Sequence, residues 1–509
     1  MGKFYLTTAI DYVNAPPHLG HAYEKVCADV INRYQKMKGN DTFFCTGVDE
    51  HSLNVYRQAR AKNISPKQYC DQMVPAFKQA WESLNIRYDR FIRTTDSDHV
   101  ASVQKLLQEI YDNGDIYKDK YKGWYCVSCE AYLQESDLID GKCPVHNREA
   151  EWLEEDNYFF RLSKYSEKIL EHINRYKDFV TPEIRKNEIV NIIKSGLQDI
   201  SISRASEGWG IALPFDPGQT IYVWIDALTN YISAAGFSDD GLKFGKLWPA
   251  DLHIIGKDIT RFHCIIWPAM LLSAGIKLPL RVYAHGFMTL EGKKMSKTEN
   301  NFIDPKSIVE AAGSDAVRYF IIREMPYADD MDFTWDKFWM RYNTHLANDL
   351  GNLSSRVLSM VEKYCGSIVP GFGKMNSGNG GFQEAVFKAV NDYHRLMDDC
   401  QLSAALAAAC ELVTFANKYI EINQPWKLYK TGQQEKLDGA LRNLLEGLKV
   451  ISVLLHPFMP VASGKILESV GVGKDGETND FSGIKTWGSL PEGGKIRNPG
   501  IIFPRKEKD

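Results

Sequence analysis

Apolar and polar residues at the start of the chain alternate in blocks that predict a strand, a helix and a second strand. The apolar run at residues 4–10 predicts a buried strand, and a loop with two adjacent prolines follows it. A helix is predicted from about Leu19, because the next apolar residues recur at helical spacing, at Val26, Val30, Tyr34 and Met37. A second apolar run at residues 42–46 predicts another strand. Such a unit implies a parallel sheet with a ligand site at the carboxyl ends of its strands.

Later apolar runs predict two more strands of the same sheet and then a separate helical region. The runs at residues 252–255 and 281–284 each lead into a polar segment. After about Trp335 the pattern changes to long amphipathic helices, one of which carries the stripe Leu444, Leu448, Ile451 and Leu455. The predicted fold class is an α/β parallel-sheet domain, interrupted by an insertion and followed by an all-α helical bundle.

The composition is that of an ordinary globular protein of two or three domains. Of its 509 residues, 44% are hydrophobic and 25% are charged, and the net charge of −4 leaves room only for a local basic patch on a nucleic-acid-binding face. The N-terminus lacks a signal-peptide pattern, and the most apolar stretch, residues 264–276, is too short to cross a bilayer. The cysteines lie mostly singly in apolar contexts, as reduced thiols do. We expect a cytoplasmic protein with no membrane partner.

Two short polar motifs carry the candidate chemistry. They are His18-Leu19-Gly20-His21 and Lys294-Met295-Ser296-Lys297-Thr298. The first motif lies at a predicted helix N-terminus, where free N–H groups favour an anion and the two imidazoles can donate to phosphate oxygens. Gly20 would let a nucleotide approach the backbone closely. The lysines lie in a predicted loop and could stabilise the charge of a departing pyrophosphate.

Each motif alone has a plainer interpretation, as capping or surface histidines in one case and as a solvated basic loop in the other. Neither standard phosphate fingerprint occurs, because Gly208 and Gly210 lack the third glycine of a dinucleotide loop and Gly292 lacks the upstream glycine of a P-loop. The two motifs nevertheless follow predicted strands of one sheet, which favours a nucleotide site at which the α-phosphate is attacked.

In this order the two motifs resemble the HIGH and KMSKS signatures of class I aminoacyl-tRNA synthetases, with Thr298 in place of the usual final serine. The resemblance implies a Rossmann-type catalytic domain that uses ATP with Mg²⁺, and an amino-acid carboxylate that attacks the α-phosphate. It implies catalytic roles for His18, His21, Lys294 and Lys297. The implied ATP-binding residues are His18, Gly20, His21, Gly256, Lys257, Asp258, Lys294, Ser296 and Lys297.

Further segments resemble the methionyl-tRNA synthetase family within that class; they are residues 7–12, 47–51, 222–227, 253–258 and 285–286. Methionine is a flexible thioether, which aromatic edges and a weak donor hold well. By the resemblance, Asp49 would bind the substrate ammonium through a charge-assisted bond. The other implied methionine-binding residues are Ala9, Ile10, Tyr12, Trp224, Ala227, Tyr231 and His285, although each aromatic taken singly is as typical of a core. The insertion is too short for the editing domain that isoleucyl, valyl and leucyl relatives carry.

The predicted insertion carries two close pairs of metal-ligating residues on either side of a short loop. The pairs are Cys126 with Cys129 and Cys143 with His146. A hairpin that brings them together would supply four ligands at tetrahedral spacing, which suits one structural Zn²⁺ with no position left open for catalysis. The alternatives are a redox cysteine pair or a chance arrangement, and the family resemblance also favours a zinc knuckle.

The C-terminal helices resemble the family's anticodon-binding domain, which implies that initiator and elongator tRNA(Met) are partners. Asn352 and Arg356 are spaced i, i+4 on one helix face, from which they could read unstacked bases. Trp426, after Pro425, is the matching aromatic on which a base would stack, although a tryptophan that closes the bundle core is the plainer alternative. Because no oligonucleotide-binding dimerisation domain follows, we expect a monomer.

The resemblance implies that methionine and ATP form methionyl-adenylate and pyrophosphate, and that the methionyl group then passes to the 3′ end of tRNA(Met). A small-molecule nucleotidyltransferase would be shorter and lack the helical region, and a non-catalytic tRNA-binding relative would be expected to have lost a motif histidine or lysine. The predicted domains are 1–114 and 220–290 for the halves of the catalytic sheet, 115–219 for the connective insertion, 291–345 for the lysine loop and a stem-contact region, and 346–509 for the anticodon-binding domain.

Overall fold

The computed structural model describes residues 2–126, 131–133, 135, 138–144, 148–205, 208–295, 301–372, 381–473 and 480–506. The strands are β1 (Lys3–Thr8), β2 (Asp11–Tyr12), β3 (Asp41–Asp49), β4 (Arg90–Arg93), β5 (Ile116–Cys126), β6 (Ala131–Leu133), β7 (Glu151–Phe160), β8 (Val180–Thr181), β9 (Ile200–Ser201), β10 (Ser203–Ala205), β11 (Gln219–Ile221), β12 (Leu252–Gly256), β13 (Val282–His285), β14 (Met288–Leu290), β15 (Lys293–Lys294) and β16 (Met331–Phe333). The helices are α1 (Leu19–Met37), α2 (Leu53–Ala61), α3 (Pro66–Ser83), α4 (Ser97–Asp112), α5 (Ser166–Arg175), α6 (Glu183–Lys194), α7 (Val223–Ala234), α8 (Gly241–Leu247), α9 (Trp267–Ser273), α10 (Pro305–Ala312), α11 (Ser314–Glu324), α12 (Trp335–Arg341), α13 (Asn352–Cys365), α14 (Phe382–Asp398), α15 (Leu402–Asn423), α16 (Pro425–Lys430), α17 (Gln434–Leu455) and α18 (Pro460–Ser469).

A parallel sheet lies at the centre of the catalytic region, which confirms the predicted fold class. Its strands are ordered β2-β3-β1-β12-β13-β8, with β4 also on β3, and every pairing is parallel. Thr8 pairs with Ile254, and Gly256 pairs with His285. The carboxyl ends of β1, β12 and β13 therefore meet at one edge, where a doubly wound sheet places its ligand.

The helix α1 is buried along almost its whole length, because the sheet, α3 and α11 all pack against it. Its predicted apolar stripe is inside, but so are three charged side chains, Glu24, Lys25 and Asp29. Buried charges persist where they are paired. Here Lys25 Nζ lies 2.8 Å from Asp11 Oδ1 and 3.1 Å from Glu24 Oε1. Lys25 also donates to the Ala9 carbonyl at 3.2 Å, which ties α1 to the carboxyl end of β1.

The predicted insertion forms an antiparallel sheet of its own, in the order β6-β5-β7-β9. The long hairpin pairs Ile116 with Phe160 at one end and Tyr125 with Glu151 at the other. The same interval also contributes β8 to the central sheet, where Val180 pairs with Val282. The insertion is therefore not wholly separate from the catalytic sheet. Two residues of strand are too short a run for apolar patterning to reveal.

The C-terminal part is a helical bundle built from α13 to α18, as predicted. The stripe on α17 is fully inside, since Leu444, Leu448, Ile451 and Leu455 are each at most 1% exposed. The apolar core is continuous from α1 into this bundle, so the two regions pack as one body. None of the helices in the described part of the chain has the length and apolar character that a membrane crossing requires.

Candidate active site

The two histidines of the first motif cap the N-terminus of α1 reciprocally. His18 Nδ1 accepts a hydrogen bond from the Gly20 N–H, and His21 Nδ1 accepts one from the His18 N–H, each at 3.1 Å. The two rings lie 3.9 Å apart between centroids. A neutral imidazole that accepts at Nδ1 carries its proton at Nε2. Capping therefore makes both rings Nε2 donors at a helix terminus that already favours an anion.

Gly20 serves the capping ring of His18. A Cβ at this position would lie 2.9 Å from His18 Cε1 and 3.0 Å from its Nδ1, closer than side-chain carbons approach. The sequence suggested instead that Gly20 makes room for a nucleotide. In the structure the His18 ring occupies the space beside Gly20. The absence of a side chain at Gly20 therefore allows the orientation in which His18 carries its Nε2 donor.

The described residues that flank positions 296–300 lie beside the same helix terminus. Met295 is buried, and its Sδ would lie 3.9 Å from a Cβ on Gly20. On the far side, the Ile303 carbonyl accepts a hydrogen bond from the Leu19 N–H at 2.9 Å. Lys294 ends the short hairpin of β14 and β15, in which it pairs with Thr289. Ser296, Lys297 and Thr298 lie outside the described residues.

The predicted ATP-binding segment Gly256, Lys257 and Asp258 lies at the carboxyl end of β12. Lys257 Nζ lies 2.6 Å from Asp330 Oδ1, which also accepts from the Phe287 N–H at 2.8 Å. Burial would raise the pKa of Asp330, but these two donors hold that pKa below its ordinary value. Lys257 is thus positioned by a carboxylate at the sheet edge that also holds the histidine motif.

Predicted methionine-binding residues form a partly buried aromatic wall beside that edge. Trp224 stacks on Phe262 with ring centroids 4.0 Å apart, and Tyr12 meets the edge of Trp224 at 6.2 Å. Ala9 and Ile10 are likewise partly buried against the same apolar core, and Ala227 is buried below. Trp224 Nε1 is buried and has no hydrogen-bond partner among the described residues. Phe262 was missed, because no motif or spacing in the sequence marks it.

Tyr231 and His285, two further predicted pocket residues, are both buried and hydrogen-bonded. His263 Nδ1 donates to the Ile259 carbonyl, so its Nε2 accepts from the Tyr231 hydroxyl at 2.6 Å. Burial lowers the pKa of His263 to about 4, which keeps this ring neutral. His285 Nε2 lies 3.1 Å from Glu24 Oε2. The Tyr231 hydroxyl already donates its hydrogen bond to His263. Tyr231 would therefore offer a ligand the face of its ring.

A buried cluster that the sequence did not reveal surrounds Asp49. The His51 N–H donates to Asp49 Oδ1 at 3.2 Å, and His51 Nδ1 donates to Asp226 Oδ2 at 2.7 Å. His99 Nε2 donates to the other oxygen of Asp226, also at 2.7 Å. Burial would raise the pKa of Asp226, but the two histidines hold it below its ordinary value. Asp49 itself is only 2% exposed.

The predicted zinc ligands can be followed only in part. Cys126, at the end of β5, and Cys143, on the neighbouring loop, are both buried. Cys129 and His146 lie outside the described residues. No group of three or more histidine, cysteine, aspartate or glutamate side chains suited to a metal occurs within the described ranges. Two buried thiols in a small hairpin sheet fit soft metal ligation, and the zinc site stays a prediction.

The predicted anticodon residues lie on neighbouring helices of the bundle. Asn352 is exposed at the start of α13, and Arg356 is paired with Glu421 of α15 at 2.7 Å. Pro425 is buried at the start of α16, while Trp426 is half-buried and packs against the core. A half-buried ring fits either predicted role of Trp426, as a core residue or as a stacking platform for a base.

Comparisons with known proteins agree with this geometry. The family model described as tRNA synthetases class I (M) matches residues 4–152 and 136–358, and the anticodon binding domain of methionyl tRNA ligase matches residues 369–509. A methionine–tRNA ligase of Caldanaerobacter subterraneus subsp. tengcongensis is 45% identical over 99% of this chain and 78% of its own length. One of Nostoc sp. is 42% identical over 99% of this chain and 97% of its own.

Solved structures show the same relationship. Mycobacterium tuberculosis methionyl-tRNA synthetase in complex with methionyl-adenylate superimposes with a TM-score of 0.95 at 41% identity, covering 99% of this chain and 100% of that one. The free form of that enzyme gives a TM-score of 0.89 at 38% identity, covering 100% and 99%. With its parallel sheet, its paired motifs and its helical bundle all matched over nearly the whole length, this chain belongs to the methionyl-tRNA synthetase family.

Proposed function

We propose that methionine is activated where the two motifs meet, with His18, His21, Lys294 and Lys297 on the phosphates of ATP. As a member of its family the chain forms methionyl-adenylate and pyrophosphate, and then transfers the methionyl group to the 3′ end of tRNA(Met). One observation carries the placement. The lysine loop begins at Met295 beside Gly20 and returns at Ile303, which accepts from the Leu19 N–H, so its two ends lie at the histidine motif.

The histidines would act as neutral donors. Since each Nδ1 accepts from a backbone N–H, each ring carries its proton at Nε2 and would donate from there to a phosphate oxygen when ATP binds. When the methionine carboxylate attacks the α-phosphorus, negative charge grows on the bridging oxygen and passes to pyrophosphate. Lys294 and Lys297 would stabilise that charge, and a contact that strengthens only in the transition state raises turnover. Gly20, Gly256, Lys257, Asp258 and Ser296 complete the proposed ATP site.

Methionine would lie against the aromatic wall with its ammonium group on Asp49. The indole N–H of Trp224 has no hydrogen-bond partner within the described ranges, and the rings of Tyr12 and Phe262 lie beside it. Together they supply a polarisable, weakly donating surface, which suits a thioether. Asp49 is buried at the carboxyl end of β3 and oriented by a backbone N–H. A carboxylate in such a position binds an ammonium strongly. Ala9, Ile10, Ala227, Tyr231 and His285 would complete the pocket.

Two metals belong to the proposal. Mg²⁺, when bound with ATP, would neutralise charge on the phosphates, and the nucleotide's own oxygens would supply most of its ligands. Structural Zn²⁺ would be held by Cys126, Cys129, Cys143 and His146. The test of the zinc site is metal analysis of the purified chain, which we expect to give one zinc per chain and less in Cys126→Ser.

The helical bundle would read the anticodon through Asn352, Arg356, Pro425 and Trp426. The pair of Arg356 with Glu421 joins α13 to the last turn of α15, and α16 with Trp426 begins directly after that helix. None of the described cysteines forms a disulfide, which fits the cytoplasmic location we propose. A monomeric state, and use of both initiator and elongator tRNA, remain predictions that light scattering and charging assays test.

The direct test is charging of a tRNA(Met) transcript by the full chain with methionine, ATP and Mg²⁺. We expect methionyl-tRNA to accumulate, and we expect a His21→Ala variant to lose both ATP affinity and charging. Unchanged ATP binding in that variant, with no charging by the parent chain, would favour a non-catalytic tRNA-binding protein instead.

A further inference from the structure

We propose that Asp226 is a positioning residue for methionine recognition, which acts through His51 to hold Asp49 where the substrate ammonium binds. The inference rests on the proposed role of Asp49, and the experiment below separates the two. Asp226 is not itself placed on the substrate. It lies on α7, the helix that also carries Trp224, Ala227 and Tyr231.

The contacts form a continuous chain from Asp226 to Asp49. Asp226 Oδ2 accepts from His51 Nδ1 at 2.7 Å, and the backbone N–H of His51 donates to Asp49 Oδ1 at 3.2 Å. The ring of His51 fixes the peptide that orients Asp49. His99 Nε2 holds the second oxygen of Asp226 at 2.7 Å, so the carboxylate cannot turn away. One buried carboxylate therefore ties the pocket helix to the segment that follows β3.

Burying this cluster costs desolvation free energy, which suggests a role that apolar residues could not fill. Asp226, His51 and His99 are 1%, 7% and 0% exposed, and a buried charge without water is expensive even when paired. Well-packed apolar residues of similar volume are often at least as stabilising as a buried ion pair. The polar cluster fixes the His51 ring, and so the residue whose backbone N–H donates to Asp49 Oδ1.

Trp209 closes the cluster from outside. Its ring meets His51 edge-on with centroids 5.1 Å apart, and its Nε1 donates to the Glu50 carbonyl at 2.6 Å. The segment from Asp49 to His51 is thereby held by two contacts, one from His51 to the buried Asp226 and one from Trp209 to the Glu50 carbonyl. A low-dielectric setting of this kind strengthens the hydrogen bonds that orient Asp49.

The test compares two ligands in Asp226→Asn, a variant of the same shape that lacks the charge. The ligands are methionine and desamino-methionine, which has hydrogen in place of the amino group, and calorimetry measures the affinity of each for the full chain. We expect methionine to bind about tenfold more weakly, because a charge-assisted contact is loosened. Desamino-methionine, which makes no ammonium contact, should bind as before, and the KM for ATP should not change.

Controls make each outcome decisive. Asp115→Asn alters a different buried carboxylate, which contacts Ser273 and Lys164, and should leave the ratio of the two affinities unchanged. Asp49→Asn should lose methionine selectively; if it does not, the proposed role of Asp49 fails. If Asp49→Asn shows the selective loss but Asp226→Asn weakens both ligands alike, or neither, the positioning role is wrong. Should Asp226→Asn not fold, His51→Ala removes the same hydrogen bond, and His51→Asn should restore the ratio.

Discussion

His18 and His21 hold each other in place through contacts within four residues of chain. The His18 ring accepts from the Gly20 N–H and the His21 ring accepts from the His18 N–H, so local backbone geometry sets both tautomers. Because the spacing is local, the sequence could predict that these side chains lie at a helix terminus. It could not show why Gly20 is needed, since that depends on where the His18 ring turns.

Replacing Gly20 with alanine should displace the His18 ring, because the new Cβ would lie 2.9 Å from His18 Cε1. A displaced donor costs turnover on the order of 100-fold, which ATP–pyrophosphate exchange measures. Gly245→Ala adds a Cβ that meets nothing within 4 Å and should leave exchange unchanged. An active Gly20→Ala variant would show that the His18 ring direction is unimportant.

Asp11 should make stability depend on pH in an unusual direction. Burial raises its pKa from 3.8 to about 6, despite Lys25 beside it. Since the folded chain holds this proton more tightly than the unfolded chain, the stabilisation is full below pH 3.8 and is lost as the pH rises to about 6. The loss is up to about 3 kcal/mol.

Asp11→Asn should remove that decline, which urea unfolding across this pH range would measure as a changed slope against the parent chain. Asp115 provides the opposite case. Burial would raise the pKa of Asp115, but Lys164, Tyr165 and Ser273 outweigh burial and hold that pKa below its ordinary value. The stability that Asp115 contributes is therefore lost as the pH falls. Equal slopes in the Asp11→Asn and parent chains would refute the raised pKa.

At the scale of elements, the hairpin of β14 and β15 leads the chain to Met295, which lies beside the N-terminus of α1. The strand β16 pairs in parallel with β14, from Met288 with Met331 to Leu290 with Phe333, and so fixes the base of the hairpin. Beyond it, Met295 and Ile303 contact the helix terminus. These anchors join residues distant in sequence, so patterning predicts a loop there without showing what it touches.

Lys297→Ala should lower ATP–pyrophosphate exchange by ~100- to 1,000-fold, as loss of a transition-state donor does. Methionine binding should stay as it is, because the lysine acts on the phosphates. Lys293→Ala is the matched control, since Lys293 is exposed in the same hairpin, and it should retain near-normal exchange. Similar rates in both variants would remove Lys297 from the mechanism.

Among the other elements too, those set by local sequence patterns were predicted, and those set by contacts between distant residues were not. The first strand–helix–strand unit, the later strands and the α17 stripe follow local periodicity, and all were predicted. The strand β8 and the residues His99 and Phe262 were not, since each gains its place from a partner far along the chain. Motif positions could be found from the sequence, whereas the residues that support them required the fold.

At the scale of the whole molecule, one buried arginine joins the catalytic sheet to the helical bundle. Arg318 on α11 is 0% exposed and lies 2.7 Å from Asp29 of α1. It also donates to the carbonyls of Phe458, Pro457 and Leu84. The loop before α18 is thus tied to the helix whose N-terminus carries the histidine motif.

Arg318→Met should destabilise the chain by ~3–5 kcal/mol, because it leaves buried carbonyls without donors and removes one of the two arginine side chains paired with Asp29. The urea midpoint of unfolding measures the change. Arg87→Met, at an exposed arginine whose backbone N–H donates to Asp29, should shift the midpoint little. If the two variants unfold alike, Arg318 does not join the two regions.

ATP–pyrophosphate exchange, measured with Mg²⁺ and each of the twenty amino acids separately, decides whether the paired motifs form a methionine-activating site. We predict exchange with methionine alone, abolished in the chain that carries both His21→Ala and Lys297→Ala. Exchange driven by a different amino acid would contradict the pocket assigned to Tyr12, Asp49 and Trp224. Exchange that survives the paired substitution would contradict the site itself.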